Sequence, residues 1–477
     1  MTDPTPSPAA PEAGAAPTTF WQGVWQAIKG THSDYTTLPL NRAVLLLAVP
    51  MVLEMSMESL FAVVDVFWVS RLGHEAVAVV GITESVMSLI YAVAIGISFA
   101  ATAIVARRIG ENNPSLAAQA AGQILVLGAA VAAAIGAVFG WFAGDILRLM
   151  GASPEVVSLG TGYARIMLGG NITVFLIFLI NAVFRGAGDA VIAMRTLWLA
   201  NGLNIVLDPC FIFGWGPFPE MGVAGAAVAT NIGRGIGVLY QLWHLTARAG
   251  RVRIRLPDLR PHRDSLVTIL KTSGNGIAQL LIATTSWVGL FKILAVFGSP
   301  VLAGYTIAIR VVIFALMPAW GLANAGATLV GQNLGAGHPD RAEKSVRLAT
   351  RYNVIFLGGV GLLFIVFSRF IVGFFTTDPA VFPEAVRALW IISLAFPLYA
   401  AGMCLEATFN GSGDTWTPTR LNFFCLWLGQ VPLAWLLAVP ADLGPLGVYI
   451  AVPVSFTALT IWSAVLFRRG KWKEKKI

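Results

Sequence analysis

The sequence predicts an all-α polytopic membrane protein: twelve transmembrane helices in two six-helix lobes, related by a pseudo-twofold axis along the membrane normal. Three observations predict it. Of 477 residues, 57% are hydrophobic and only 12% are charged. That is about half the charge of an ordinary soluble domain, and the mean hydropathy is +0.75. Apolar runs of about 20 residues, the length that crosses a bilayer, follow one another from residue 40 onward. Turn-forming residues also recur at a constant offset of 225 positions.

This composition excludes a soluble enzyme, a disordered scaffold and a secreted disulfide protein. Cys210, Cys404 and Cys425 all fall in apolar segments. Their odd number and lack of ligand spacing make them small core residues.

Residues 1–38 form a tail. Its first 19 residues are rich in Pro, Ala and Thr, with no basic or apolar leader region, and read as disordered and not as a signal peptide. Phe20, Trp21, Val24, Trp25 and Ile28 share one helical face, which suits either a short interfacial helix or a frayed tail. The N-lobe, 39–247, holds spans 41–70, 75–105, 116–141, 159–184, 193–214 and 221–247. A basic linker, 248–265, follows. The C-lobe, 266–468, holds spans 266–297, 301–330, 349–374, 385–409, 416–439 and 445–468, and a basic tail, 469–477, ends the chain.

Twelve spans put both termini on one side. Loops after the even-numbered spans and the two tails hold most of the 32 basic residues, from Arg107-Arg108 through the run Arg248 to Lys271 and on to Lys476. The opposite loops carry few, such as Arg71, Arg148 and Arg369. By the positive-inside rule both termini are cytoplasmic, in a plasma or inner membrane. The formal net charge of +8 is therefore a topology signal, and no nucleic-acid partner is expected.

The repeat pairs Gly73 with Gly298, Gly110 with Gly335, Pro114 with Pro339, Gly186-Ala-Gly188-Asp189 with Gly411-Ser-Gly413-Asp414, and Gly222-Val223 with Gly447-Val448. These residue types set tight turns, and they fall at equivalent loops of the two halves. Each half has an even number of spans, so the repeats run in the same sense. That arrangement suits a transporter with its substrate site between the halves.

Several segments resemble the multidrug and toxic compound extrusion (MATE) family of antiporters. They are Val64-Asp65 with Arg71-Leu72-Gly73, Arg107-Arg108-Ile109-Gly110, Arg185-Gly186-Ala187-Gly188-Asp189, and the run from Leu203 to Pro209 with Gly222 to Ala227. In the second half they are Gly331-Gln332-Asn333-Leu334-Gly335 and Gly411 to Thr415. The resemblance runs from about residue 38 to 468. It implies secondary active export by a monomer: two lobes rock between inward- and outward-open states, exchanging H⁺ or Na⁺ for amphipathic, often cationic, small molecules. No cofactor is implied beyond the coupling ion, and the remaining partner is membrane lipid.

Ionisable residues at helix centres cost at least about 2.5–3.5 kcal/mol each on insertion scales, so each needs a reason. Glu54, Glu58 and Asp65 of the first span lie within about 40° of one another on a helical projection. Asn201, Asn204 and Asp208 make a second stripe in the fifth span. Asp65 lies six residues before Arg71, and Asp208 six before Gly214, so both sit roughly 9 Å below the external boundary. Thr230 in the sixth span reaches the same level. Two carboxylates, an amide and a hydroxyl suit a hard cation or a shared proton. Among relatives with a cation site in the N-terminal lobe, the resemblance makes Asp65, Asn204, Asp208 and Thr230 the ligands of H⁺ or Na⁺. The bland reading is that they tie helices together, with Arg234 as counter-ion.

Across the repeat, Asp65 maps to Leu290, Asn204 to Gly429 and Asp208 to Leu433, which confines the expected coupling chemistry to the first lobe. Five further residues are candidates for substrate contact or proton relay: Glu54, Glu58 and Glu84 in the first lobe, Lys292 and Arg310 in the second. Each is equally well read as an internal ion pair or a snorkelling side chain.

Two Gly-x-Gly-Asp strings resemble those of intramembrane aspartyl proteases. Both sit in basic loops and copy one another, which marks them as turns whose aspartates cap the next helix. No phosphate loop, zinc triad or nucleophile elbow occurs, so neither an enzyme nor ATP-driven transport is expected. The nearer alternative is a lipid-linked oligosaccharide flippase of the same superfamily, toward which Lys292 and Arg310 lean.

Overall fold

The computed structural model describes residues 19–30, 33–246 and 250–477. The expectations for residues 1–18 and for Arg248 lie outside these. Among the described residues the regular structure is helical throughout, with no strand. The helices are α1 Phe20–Lys29, α2 Leu40–Ser70, α3 His74–Gly110, α4 Pro114–Trp141, α5 Ala143–Leu149, α6 Pro154–Gly169, α7 Ile172–Ala187, α8 Ala190–Phe213 and α9 Val223–Thr246. They continue with α10 Arg263–Ala295, α11 Ser299–Gly335, α12 Pro339–Gly373, α13 Phe382–Ser393, α14 Phe396–Ser412, α15 Trp416–Asn422, a π-helical stretch Phe423–Gln430, α16 Val431–Ala438 and α17 Pro445–Arg468.

Ten segments are long and apolar enough to cross a membrane, and the bent pair α13 and α14, with 56° between its axes, makes an eleventh. The sixth expected span, 221–247, is present as helix α9 but is not among these candidates, so the count of twelve is not reached by length and hydropathy among the described residues. Helix α9 forms over 24 residues, but Asn231, Arg234, Gln241 and His244 dilute its hydropathy below that of its neighbours. Of these, Arg234 and Gln241 belong to the site described below.

Local chemistry explains the punctuation. Pro114 opens α4 behind Asn113, whose side chain caps Leu116 N. Ser153 does the same for α6. The repeated Gly-x-Gly turns end α7 and α14 in the left-handed conformation, with φ +87° at Gly188 and +85° at Gly413, where a side chain would be strained. The expected aspartate caps are not formed: Asp189 occupies the N-cap of α8 without a side-chain capping bond, and Asp414 Oδ2 instead accepts from the Thr417 hydroxyl at 2.6 Å. Helix α1 is real. Thr19 and Gln22 form a reciprocal capping box, Gly23 and Ala27 face the protein, and Phe20, Trp21 and Trp25 are exposed.

Two apolar cores divide the bundle. One gathers Val79, Ile104, Phe175 and Ile180 with the rest of α3 to α9. The other gathers Leu294, Tyr305, Leu389 and Tyr449 from α10 to α17, with the Tyr305 and Tyr449 rings stacked 5.9 Å apart. Between them runs a seam of Tyr35, Leu47, Met51, Ala190, Leu322 and Leu329.

The seam lies toward the end of the bundle that holds both chain termini. There Gly96 of α3 meets Gly276 of α10 so closely that a Cβ on Gly276 would stand 2.7 Å from Gly96 O. Gly110 lies against Gln332, and Gly335 against Arg107, with no room for a Cβ on either. Gln332 Nε2 donates to Gly186 O at 2.9 Å, Thr328 Oγ1 to Arg185 O at 3.2 Å, and Arg107 to the carbonyls of Ser412 and Lys475. Arg341 of α12 donates to Tyr35 O and Leu38 O. Farther from that end, Leu60, Val63, Val66 and Phe67 of α2 and Ile313 and Phe314 of α11 are exposed.

Candidate functional site

The polar residues of the first half converge on the interior faces of α2, α3, α7, α8 and α9. Helices α8 and α9 approach closely because Gly225 and Gly233 carry no side chain: a Cβ on Gly233 would stand 2.5 Å from Ala200 O. That closeness lets Asn204 of α8 reach Thr230 of α9.

Three levels stack along the helices. Nearest the terminal end, Glu54 is fully buried. Its Oε1 accepts from Arg185 Nη1 at 2.7 Å and from Asn181 Nδ2 at 3.1 Å, and Gln241 Nε2 donates to Asn181 Oδ1 at 2.5 Å. One turn along α2, Glu58 meets Arg234 Nη2 at 3.5 Å and accepts from Asn201 Nδ2 at 2.9 Å. Arg234 also donates to the Tyr91 hydroxyl at 3.0 Å, and its guanidinium carbon lies 5.6 Å from the centre of the Phe61 ring. The outermost level holds Asn204, whose Nδ2 donates to Thr230 Oγ1 at 3.0 Å and to Asp208 Oδ1 at 3.2 Å. Asp65 stands within electrostatic range of Asp208 and of Arg234, and Glu84 of α3 within range of both Asp65 and Arg234.

This assembly leaves specific valences open. Asp208 Oδ2 and Asn204 Oδ1 are buried without a hydrogen-bond partner, although an unsatisfied buried acceptor costs about 1–3 kcal/mol. Chemically such a pair has room for a proton on Asp208 and leaves two oxygens open to a hard monovalent cation. Among the described residues no group of three or more His, Cys, Asp or Glu side chains is arranged for a metal. A cation there would depend on amide and hydroxyl oxygens as well as carboxylates.

Of the residues singled out from sequence, Asn204 bridges Asp208 and Thr230 through its amide nitrogen, while Asp65 joins them through space and not through a hydrogen bond. Glu58 and Glu84 lie in the same assembly. Glu54 is in the deeper Arg185 pair. Lys292 and Arg310 make no hydrogen bond or ion pair with the assembly among the described residues. Both are exposed, and neither forms a salt bridge among the described residues. Arg310 lies eleven residues before Gly321, three turns along one face of α11, the face that packs on Met51.

Sequence reasoning assigned Arg185 to a loop. It is buried on Glu54 instead, and the fully buried Glu54 was the signal that some base had to lie within reach. Asn181 and Gln241 were missed because a lone amide in an apolar run carries no pattern. Glu406 of α14 was missed as well, because its repeat partner, Asn181, is not an acid.

Comparison with known proteins agrees with the two-halved fold. The MatE family model matches twice, at residues 50–210 and 276–436, one match per half. The "Probable multidrug resistance protein YoeA" of Bacillus subtilis is 28% identical over 91% of this chain and 95% of its own length. The "Probable multidrug resistance protein NorM" of Thermotoga maritima is 26% identical over 92% of this chain and 94% of its own. A solved outward-facing conformation of a multidrug resistance MATE family transporter superposes with a TM-score of 0.86 at 28% identity, covering 95% of this chain and 99% of that one. Two family matches, one on each apolar core and together spanning more than half the residues, make this chain a member of the MatE family of membrane transporters, which are not enzymes.

Proposed function

We propose that this chain is a secondary active antiporter that exports amphipathic, cationic small molecules in exchange for H⁺ or Na⁺. The observation that carries the reading is the pair of unpartnered buried oxygens, Asp208 Oδ2 and Asn204 Oδ1, beside Asp65. A buried carboxylate with an open valence is stabilised by neutralisation, so the outer level is where an inward-moving ion would bind.

In this account the ion neutralises Asp208 or Asp65, and the α8–α9 contact through Asn204 and Thr230 re-forms around it. Arg234 then shifts its electrostatic balance between Glu58, Glu84 and Asp65. Substrate and ion thus compete for the same acids, the condition for exchange. The terminal-end seam favours an outward-facing arrangement with the termini in the cytoplasm, and its release would give the inward-facing one. The relatives' names, multidrug resistance proteins, support drug-like amphipathic substrates.

A second reading has Arg310, on the seam-facing side of α11, recognise an anionic substrate such as a lipid-linked phosphate. Purified protein in liposomes decides. With a cationic dye inside, efflux driven by an imposed pH or Na⁺ gradient and lost in Asp208→Asn supports the antiporter. Transport only of anionic substrates, lost in Arg310→Ala, supports the alternative.

A further inference from the structure

After α17 the chain turns back across the terminal end of the bundle. Gly470 makes the turn in the left-handed conformation, at φ +75°, and a 3₁₀ turn, Lys471–Glu474, begins a strap of residues 470–477. Trp472, 1% exposed, pins the strap to the second lobe. Its ring stacks on Phe467 at 5.2 Å and packs with Val330 and Leu334 of α11, Val346 of α12 and Phe409 of α14. Lys473 Nζ lies 2.5 Å from Glu343 Oε2, and Lys475 Nζ lies 3.6 Å from Asp414 Oδ1. Every one of these partners belongs to the second half.

Residues 475–477 also meet the first half. Lys475 O accepts from Arg107 Nη2 at 2.7 Å, and Ile477 O accepts from Arg108 Nη2 at 3.0 Å. Both arginines are on α3. The Ile477 side chain packs on the apolar core of α3 to α9, in a cleft with Ile104, Leu116 and Ala120. It also lies so close over Gly413 that no side chain would fit there.

The strap therefore crosses the seam, and its two attachments differ in kind. One is an indole sunk in an apolar socket, where an aromatic side chain buries about 150–250 Å². The other is two charge-assisted bonds and one aliphatic contact near the surface. A tie between two bodies favours only the arrangement that seats both of its ends. When the lobes part at the terminal end, α3 must leave the strap, and the weaker attachment is the one that yields. We propose that residues 470–477 are a clamp across the seam, seated on Arg107 and Arg108 when the terminal end is closed and released from α3, but still held by Trp472, when it opens. The clamp extends the antiporter reading, whose lobes part at this seam.

Pulsed electron–electron double resonance on the full chain in lipid nanodiscs tests this. Spin labels go on Ser115→Cys of α4 and Lys344→Cys of α12, both exposed and one in each lobe, with Cys210, Cys404 and Cys425 replaced by Ala. Ile477→Asp and Arg108→Gln should each shift the population from the short distance of the closed seam to longer ones. Glu111→Gln removes the other ion pair of Arg108 and should leave the distances where they were. An unchanged distribution in Ile477→Asp overturns the proposal, as does an equal shift in Glu111→Gln. No ion, substrate or gradient enters the measurement, so failure of the antiporter reading shows separately, as unimpaired efflux in Asp208→Asn.

Discussion

Arg185 Nη1 lies 2.7 Å from Glu54 Oε1, with the glutamate fully buried and the arginine 8% exposed at its side chain. The arginine's own carbonyl accepts from Thr328 of α11, so the residue that neutralises the deepest acid of one half also touches the other half across the seam. Removing one partner of such a pair strands a charge, which costs about 3–5 kcal/mol. Arg185→Ala should therefore lower the melting temperature and folded yield sharply. Glu54→Gln combined with Arg185→Gln should recover most of the loss in the same melting assay. A double variant as unstable as Arg185→Ala would show that the charge pairing is not what holds this level.

Arg234 binds through geometry as well as charge. Its fork spans Tyr91 and Glu58, and its plane faces two aromatic rings. Lysine keeps the charge and loses the fork. Arg234→Lys should lower dye efflux by about tenfold or more, equivalent to about 1.5–3 kcal/mol for a charged hydrogen bond. Efflux at the wild-type rate would reduce Arg234 to a simple counter-ion.

The seam has no space at Gly335, where a Cβ would collide with Arg107 O. Gly335→Ala should push the lobes apart at the terminal end. In a background with Cys210, Cys404 and Cys425 replaced by Ala, a Thr328→Cys reporter should react faster with a maleimide when Gly335 is Ala. Unchanged labelling would mean that the close approach does not hold the seam shut.

The Asp258–His262 stretch of the linker is tied to α4 by the buried Gln123 side chain. Gln123 Nε2 donates to Asp258 O and Arg260 O, both at 2.8 Å, while its Oε1 accepts from His262 N at 2.9 Å. Gln123→Ala should free the 258–263 segment, seen as faster trypsin cleavage at Arg260 and Arg263. Cleavage at the wild-type rate would place the anchor elsewhere.

The fold was legible because its signals are dense. Hydropathy, the lysine and arginine bias and the repeated Gly-x-Gly turns each act on backbone or bilayer, and Gly188 and Gly413 take the same left-handed φ for the same reason. The candidate site was legible in composition more than in connectivity. Asp208 and Asn204 could be placed on one helical face, but the bond to Thr230 depends on glycines that let α9 approach α8. Arg185 looked like a loop charge because it sits one residue before the Gly-x-Gly turn; tertiary packing turned it inward onto Glu54. Glu406 stood at a definite repeat position, opposite Asn181, and escaped because acid and amide exchange places between the halves.

The central claim is that ion and substrate compete for the Asp65–Asp208 level. Substrate-induced proton release from purified protein, read with a pH dye in weakly buffered detergent solution with and without Na⁺, tests it most directly. Wild type should release protons, or in Na⁺ displace that ion, when a cationic dye binds, and Asp208→Asn should bind dye with no release. Equal release from wild type and from both Asp208→Asn and Asp65→Asn would contradict the account.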